Sequence, residues 1–448
     1  QHLSEGRVDG PVDHAHPDEE HHQHEIIDVQ RIAKVEDTEQ ASARDTLDAV
    51  KEISTPSSTE RPRMSSISPH LERAAALVPR IAKRAAVTEA NRMIPAETMA
   101  ELRAAGLTRM GQPKRLGGAE VGVDELAKIV AVLARGCAST AWVCGISNDH
   151  AIMVSKFDPR AADDVWGKNP DALIYAGYHP SGTVEKVDGG YRLAGTWGFA
   201  SGCDHADWVL LGSFLPLGNG PATASLCLVP RSEITIEDNW QVMGLAGTGS
   251  KNLVAKGVFV PTYRSLSLAI INNGVVGERP DLTPTQQIPQ VSTVPFIFAA
   301  TGLGIAENML ETMTAQIATR SSRGVQLAEI QSLQLSIAES AAEIECARML
   351  MERDLAEAMA TVRAGKTLDI KMRARNRRDQ AYMGRLCRRA VDRLFAVAGS
   401  QGNFDTHIAQ RNFRDMVAVS THVAVAWEIS GATYGRVAFG LDPATFLI

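Results

Sequence analysis

Cys-x-x-Cys pairs are absent from this chain, whose six cysteines (Cys137, Cys144, Cys203, Cys227, Cys346 and Cys387) are scattered through apolar or helical surroundings. That pattern lacks both zinc and disulfide spacing, and it leads us to expect buried free thiols in a reducing cytoplasm. No uninterrupted apolar run reaches the roughly 18 residues of a membrane span, and no signal peptide is visible. Positive charge is not in excess. The 46 Lys and Arg against 52 Asp and Glu give a net charge of −6, so neither a broad nucleic-acid surface nor a membrane partner is expected. A Gly-x-Gly-x-x-Gly turn leading from a strand into a helix is also missing. The nearest run, Gly244-Leu245-Ala246-Gly247-Thr248-Gly249-Ser250, lies among strand-like segments and opens no helix. That argues against a Rossmann NAD(P)H site, and Gly247-Thr248-Gly249-Ser250 reads instead as a loop at an active-site rim or as a plain hairpin. No metal site is expected.

The 448 residues are enough for two or three packed layers around a large core, and 44% hydrophobic with 22% charged residues is ordinary for a globular chain. Residues 1–66 differ from the rest. They hold six of the twelve histidines and the run Ser54-Thr55-Pro56-Ser57-Ser58-Thr59, and they read as a mostly disordered extension with one possible amphipathic helix around Glu25–Ile53. Leu71, Ala74, Leu77, Ile81 and Ala85 then recur at helical spacing. Pro95 starts a further helix that Gly106 ends, and Val123-Asp124-Glu125-Leu126 opens another, expected to run to Ser139. Over residues 172–265 the chain alternates apolar and polar residues between Gly, Pro and Asp, which reads as short strands. A Gly/Pro-rich link over Asn272–Pro295 follows, and then residues 296–436 read as long helices rich in Ala, Leu, Arg and Glu. The order predicts an α+β chain in contiguous blocks: an N-terminal helical domain (67–171), a central β domain (172–285) and a C-terminal helical bundle (286–448).

Within the β block, Asp188-Gly189-Gly190 reads as a hairpin turn and Tyr191 to Gly195 as a strand. It runs into Thr196-Trp197-Gly198-Phe199-Ala200-Ser201-Gly202-Cys203-Asp204-His205-Ala206-Asp207. This stretch resembles the flavin-facing β-segment of the acyl-CoA dehydrogenase superfamily. Ile94-Pro95-Ala96-Glu97, Pro113-Lys114-Arg115-Leu116-Gly117-Gly118 and Ser139-Thr140-Ala141-Trp142 match the superfamily's earlier marks in order and spacing. The resemblance covers about Ser68 to Pro443. It implies an acyl-CoA dehydrogenase-like fold: an N-terminal helical domain, a central β-barrel domain and a C-terminal four-helix bundle.

Dehydrogenases of that superfamily carry a Glu base a few residues after an Arg-Asp pair. Here Arg414-Asp415 leads to His422-Val423, with Val423 at the Glu position, and a valine accepts no proton. The resemblance is therefore closer to the oxygenase branch, the two-component flavin-dependent monooxygenases. It implies that reduced FMN or FAD reacts with O₂ to form a C4a-hydroperoxide that hydroxylates a small aromatic or heteroaromatic substrate, a phenol or indole-like ring. A separate NAD(P)H:flavin reductase would supply the reduced flavin, and the chain would form a homotetramer. Among the implied site residues, His422 is the candidate base and substrate anchor, as an imidazole with pKa near about 6.5 suits proton transfer at neutral pH; its bland alternative is a histidine packed in the bundle. Ser201 would hydrogen-bond flavin N5, where a hydroxyl can donate or accept. Phe199 would lie against the ring system. Tyr178, Pro180 and Ser181 would cradle the pyrimidine through backbone groups. His150 would face the substrate or simply end a helix, and Arg320 would reach a flavin phosphate across a subunit interface. Asp204 and His205 are expected to fix the turn. Two other readings stay open: an acyl-CoA dehydrogenase or oxidase with a displaced base, and a catalytically silent scaffold.

Overall fold

The computed structural model describes residues 68–217 and 220–445; the extension over 1–66 and the helix expected near Glu25–Ile53 lie outside the described residues. The first helix, α1 (Pro69–Asn91), follows from its sequence: Ser68 caps it by accepting from Leu71 N (3.3 Å), Pro69 fills the first turn, and Leu77, Ile81 and Ala85 bury one face. It is followed by α2 (Ala96–Ala104), α3 (Val123–Ala134), α4 (Ala138–Val154) and α5 (Pro159–Trp166). The helix expected to run to Ser139 is thus two helices. The chain breaks at Gly136, where an added Cβ would come within 2.9 Å of Val78 O, so α4 starts afresh and crosses the core with every residue buried.

The β block holds β1 (Ile174–Gly177), β2 (Thr183–Val187), β3 (Gly190–Ala200), β4 (Trp208–Leu215), β5 (Thr223–Pro230), β6 (Thr235–Glu237), β7 (Lys251–Pro261) and β8 (Ser265–Ser267). They make two four-stranded sheets, β1-β4-β5-β8 and β2-β3-β7-β6, in which β1 and β4 alone run parallel. Period-2 alternation sorts β4 and β5 between two cores. Val209, Leu211, Cys227 and Val229 face the second sheet, and Leu210, Leu226 and Leu228 face α4 and α5. Trp197 staples the sheets together, its Nε1 donating to Gly212 O at 2.6 Å. The β2–β3 turn is the two-residue Asp188-Gly189, with Gly189 at φ 75°.

Beyond the sheets come the short helices α6 (Leu268–Asn273) and α7 (Pro284–Gln287). The bundle follows: α8 (Pro295–Thr319), α9 (Gln331–Arg363), α10 (Ile370–Ala398), α11 (Ile408–Ser420) and α12 (Trp427–Ala438). A hairpin of β9 (Ser321–Ser322) and β10 (Val325–Gln326) interrupts it, with Arg323 and Gly324 both at positive φ in its turn. The segment 290–319, which contains α8, is long and apolar enough to cross a membrane, but most of its apolar window is buried as a core element. Gly304 lets α8 approach α3 closely, because a Cβ there would sit 2.1 Å from Ala131 O. One apolar core therefore runs from the N-terminal helices into the bundle.

Candidate functional site

Ser201 directly follows β3, just past a bulge. The β3–β7 register steps from Trp197↔Leu253 to Ala200↔Lys251, so β3 carries one extra residue there. The bulge puts Phe199 at φ 58° and leaves its ring 80% exposed, edge-on to Trp240 at 6.0 Å between centroids. A positive φ at a non-glycine residue and a large apolar ring held in solvent are each uncommon, and both occur at this one residue. Beside it, Gly202 adopts φ 76° and packs so tightly that a Cβ would lie 2.3 Å from the Tyr175 ring. Asp204 pairs with Lys251 at the start of β7 (3.0 Å).

The Ser201 hydroxyl joins a chain of three. Its Oγ lies 2.6 Å from Ser250 Oγ, which lies 2.7 Å from Thr248 Oγ1, which donates to Leu245 O at 2.7 Å. The loop carrying Thr248 and Ser250 is clamped by Arg414-Asp415. Asp415 Oδ1 accepts from Leu245 N at 2.6 Å, and Gly244 packs directly on the Arg414 carbonyl. Burial pushes the Asp415 carboxyl up to about 6, against the pull of the Leu245 amide.

The same α11 that clamps this loop leads to His422. Its ring sits against Phe298 (4.6 Å) and edge-on to Trp142 (5.1 Å), and its Nδ1 accepts from Ala424 N at 3.2 Å. Burial, and after it the Arg377 guanidinium, push its pKa down to about 4. A neutral ring whose Nδ1 accepts carries its proton on Nε2. His150, on α4, has the opposite tautomer: its Nδ1 lies 3.1 Å from Ile174 O, a carbonyl that only accepts, so Nδ1 is protonated and Nε2 keeps its lone pair. Burial lowers His150 to about 4 as well, the Ile174 bond opposing it.

His150 on Ile174 and Gly202 on Tyr175 bring α4, β1 and the end of β3 to one place, with Ser201 beside them. Tyr178, Pro180 and Ser181 form the loop after β1. Ser181 N donates to Gly212 O (2.9 Å), and Gly212 lies directly beneath the Tyr178 carbonyl. Burial raises the Tyr178 phenol pKa, with buried Asp149 adding to the effect. Arg320 stands apart from this group, exposed at the end of α8.

Three features escaped the sequence reading. Arg377, 3% exposed on α10, donates to Ala424 O (2.9 Å) and Gln380 Oε1 (3.1 Å) and has no carboxylate partner among the described residues. Asp149 and Lys156 are buried and bridged through Gln290, whose Oε1 accepts from Lys156 Nζ at 2.6 Å and whose amide donates to Asp149. Burial raises the first and lowers the second. The hydroxyl chain is the third. Nothing local marks Arg377 in an arginine-rich helix, whereas the Gly-Thr-Gly-Ser run had pointed to the rim loop.

Two family models match the chain, the acyl-CoA dehydrogenase N-terminal domain over residues 73–157 and the acyl-CoA dehydrogenase C-terminal domain over 296–427. The FADH2-dependent resorcinol hydroxylase oxygenase component of Rhizobium sp. (strain MTP-10005) is 34% identical over 398 residues, covering 85% of this chain and 97% of that protein. The chain belongs to the oxygenase branch of the acyl-CoA dehydrogenase family. Solved relatives have the same fold. The 3-HSA hydroxylase from Rhodococcus sp. RHA1 superposes with a TM-score of 0.80 at 30% identity, covering 85% of this chain and 99% of that one. XiaF from Streptomyces sp., solved with FADH2 and glycerol, gives 0.80 at 26% identity, over 84% and 96%. The protein is thus the oxygenase component of a two-component flavin-dependent monooxygenase, and its reductase is a separate partner. The site fits a flavin: an exposed aromatic platform at Phe199, a half-buried hydroxyl at Ser201, and a glycine, Gly198, whose added Cβ would touch only Asn252 Oδ1, at 3.2 Å.

Proposed function

We propose that this oxygenase hydroxylates a phenol or a related electron-rich ring, with His150 and His422 gripping the ring oxygen from opposite hydrogen-bonding roles. The observation that carries this is the pair of opposed tautomers. With Nδ1 of His150 bound to Ile174 O and Nδ1 of His422 bound to Ala424 N, Nε2 of His150 would accept the phenolic O–H and Nε2–H of His422 would donate to the same oxygen. Burial pushes both rings down to about 4, so both are neutral at pH 7; with Nδ1 occupied by Ala424 N and its proton on Nε2, His422 would serve there as a donor rather than as the proton-removing base expected of it. To act as a base through Nε2 it would have to turn Nδ1–H against Ala424 N–H, which forfeits a hydrogen bond worth about 1 kcal/mol. Reduced flavin, when bound, supplies the electrons and the activation of O₂. Phe199 would support its ring, Ser201 would face N5, and the Tyr178–Ser181 loop would cradle the pyrimidine. Phe298 and Trp142 exclude water from the substrate oxygen.

Arg320 would serve a flavin phosphate only where a partner subunit brings it to a second site. Exposed Leu335 and Met349 on α9 support the homotetramer that this requires. The six free thiols suit a reducing compartment such as the cytoplasm. The test is product analysis with chemically reduced FMN or FAD, ¹⁸O₂ and a panel of phenols and indoles. One labelled oxygen in a ring-hydroxylated product supports the reading. Its loss in His422→Ala and His150→Ala, with reduced-flavin binding kept, supports the roles. Normal hydroxylation by either variant overturns that role.

A further inference from the structure

The hydroxyl chain behind Ser201 has a direction. Thr248 has one hydroxyl hydrogen, and Leu245 O, 2.7 Å away, can only accept it. Thr248 Oγ1 must then accept from Ser250, 2.7 Å away. The Ser250 hydrogen being used on Thr248, the 2.6 Å contact to Ser201 is made by the Ser201 hydrogen. Thr248 is 2% exposed and Ser250 4%, so solvent has little access to re-pair them. Ser201 is left with lone pairs and no hydrogen to offer. Reversing the chain forfeits the bond from Thr248 Oγ1 to Leu245 O, at about 1 kcal/mol. The clamp from Asp415 to Leu245 N holds the whole array in register.

The redox states of a flavin differ at the atom Ser201 is expected to face. N5 of the reduced ring carries a hydrogen, and N5 of the oxidised ring carries only a lone pair. We propose that Ser250 and Thr248 are positioning residues that fix Ser201 as an acceptor, so that the site discriminates for reduced and against oxidised flavin at N5. This rests on the reading that Ser201 faces the flavin. Removing Ser250 frees the Ser201 hydroxyl to donate. The variant should therefore bind oxidised flavin more tightly than wild type while holding reduced flavin about as well. Damage to the fold cannot produce such a gain.

The experiment is anaerobic equilibrium ultrafiltration of the full chain with reduced and with oxidised FMN, and again with FAD, giving the ratio of the two dissociation constants. Ser250→Ala and Thr248→Val should each lower the oxidised-to-reduced ratio about fivefold, the equivalent of one hydrogen bond. Thr248→Ser, which keeps the hydroxyl, should leave the ratio at the wild-type value. Should Ser201→Ala change flavin affinity while Ser250→Ala and Thr248→Val leave the ratio untouched, the positioning role is wrong and Ser201's place at the flavin stands. Should Ser201→Ala leave both affinities unchanged, Ser201 does not face the flavin and both readings fall.

Discussion

Replacing His422 with asparagine should remove a pH-dependent share of stability that can be worked from the structure. The ring's pKa falls from 6.5 to about 4 in the folded protein, because burial disfavours the charged imidazolium and Arg377 adds repulsion. A depressed histidine means that the unfolded chain binds the proton more readily. The stabilisation is therefore complete above pH 6.5 and is lost as pH falls from 6.5 towards 4. A shift of this size amounts to about 3 kcal/mol, an upper bound for a half-buried ring. The whole-protein profile will not show it cleanly. His150 contributes with the same sign, while Asp149 and Asp415, raised by burial, lose their share as pH rises. The difference between wild type and His422→Asn isolates one ring, and asparagine preserves the cap on Ala424 N. Urea unfolding from pH 7.5 to pH 4 should show the stability gap closing by up to about 3 kcal/mol. A gap independent of pH would refute the claim that His422 is held neutral in the fold.

Arg377→Met should raise the His422 pKa, read by proton NMR of the ring; no upward movement would remove Arg377 from the site's electrostatics. Lys156→Met should destabilise by about 3 kcal/mol by leaving Asp149 buried without its cation, and adding Asp149→Asn should recover much of that loss; additive losses in thermal unfolding would contradict the bridged pair. Gly202→Ala should cost about 3 kcal/mol, from the left-handed backbone and the contact with Tyr175, and should weaken flavin binding through the displaced Ser201. Normal unfolding and flavin affinity would show that this close approach is not needed.

The block order of helices, strands and helices was legible because periodicity is a local signal. The Asp188-Gly189 turn was legible because it takes two residues of fixed chemistry. Ser201, His150 and His422 were named as candidates through resemblance, whereas the hydrogen bonds they make were not foreseen. The tautomer of each histidine is set by one backbone group, Ile174 O or Ala424 N, and only the fold presents it. The bulge that lifts Phe199 into solvent depends on pairing with β7 more than fifty residues away, and periodicity within β3 does not register it. Asp415 was read as a landmark in an Arg-Asp pair. Its role as a clamp on Leu245, 170 residues away in sequence, exists only in three dimensions. Arg377 stays invisible for a different reason. Six other arginines lie within residues 373–389 of α10 on either side of it, and only packing shows that this one is buried with no acid beside it among the described residues.

The account's central claim is that this protein brings reduced flavin and O₂ together for oxygenation. Stopped-flow absorbance after mixing the protein and anaerobically reduced FMN or FAD with oxygenated buffer tests it most directly. The account predicts a transient absorbing species, distinct from both reduced and oxidised flavin, that decays faster when the correct phenol or indole is present. Direct appearance of oxidised flavin at the rate of free flavin, together with bleaching of bound FAD by an acyl-CoA, would contradict it.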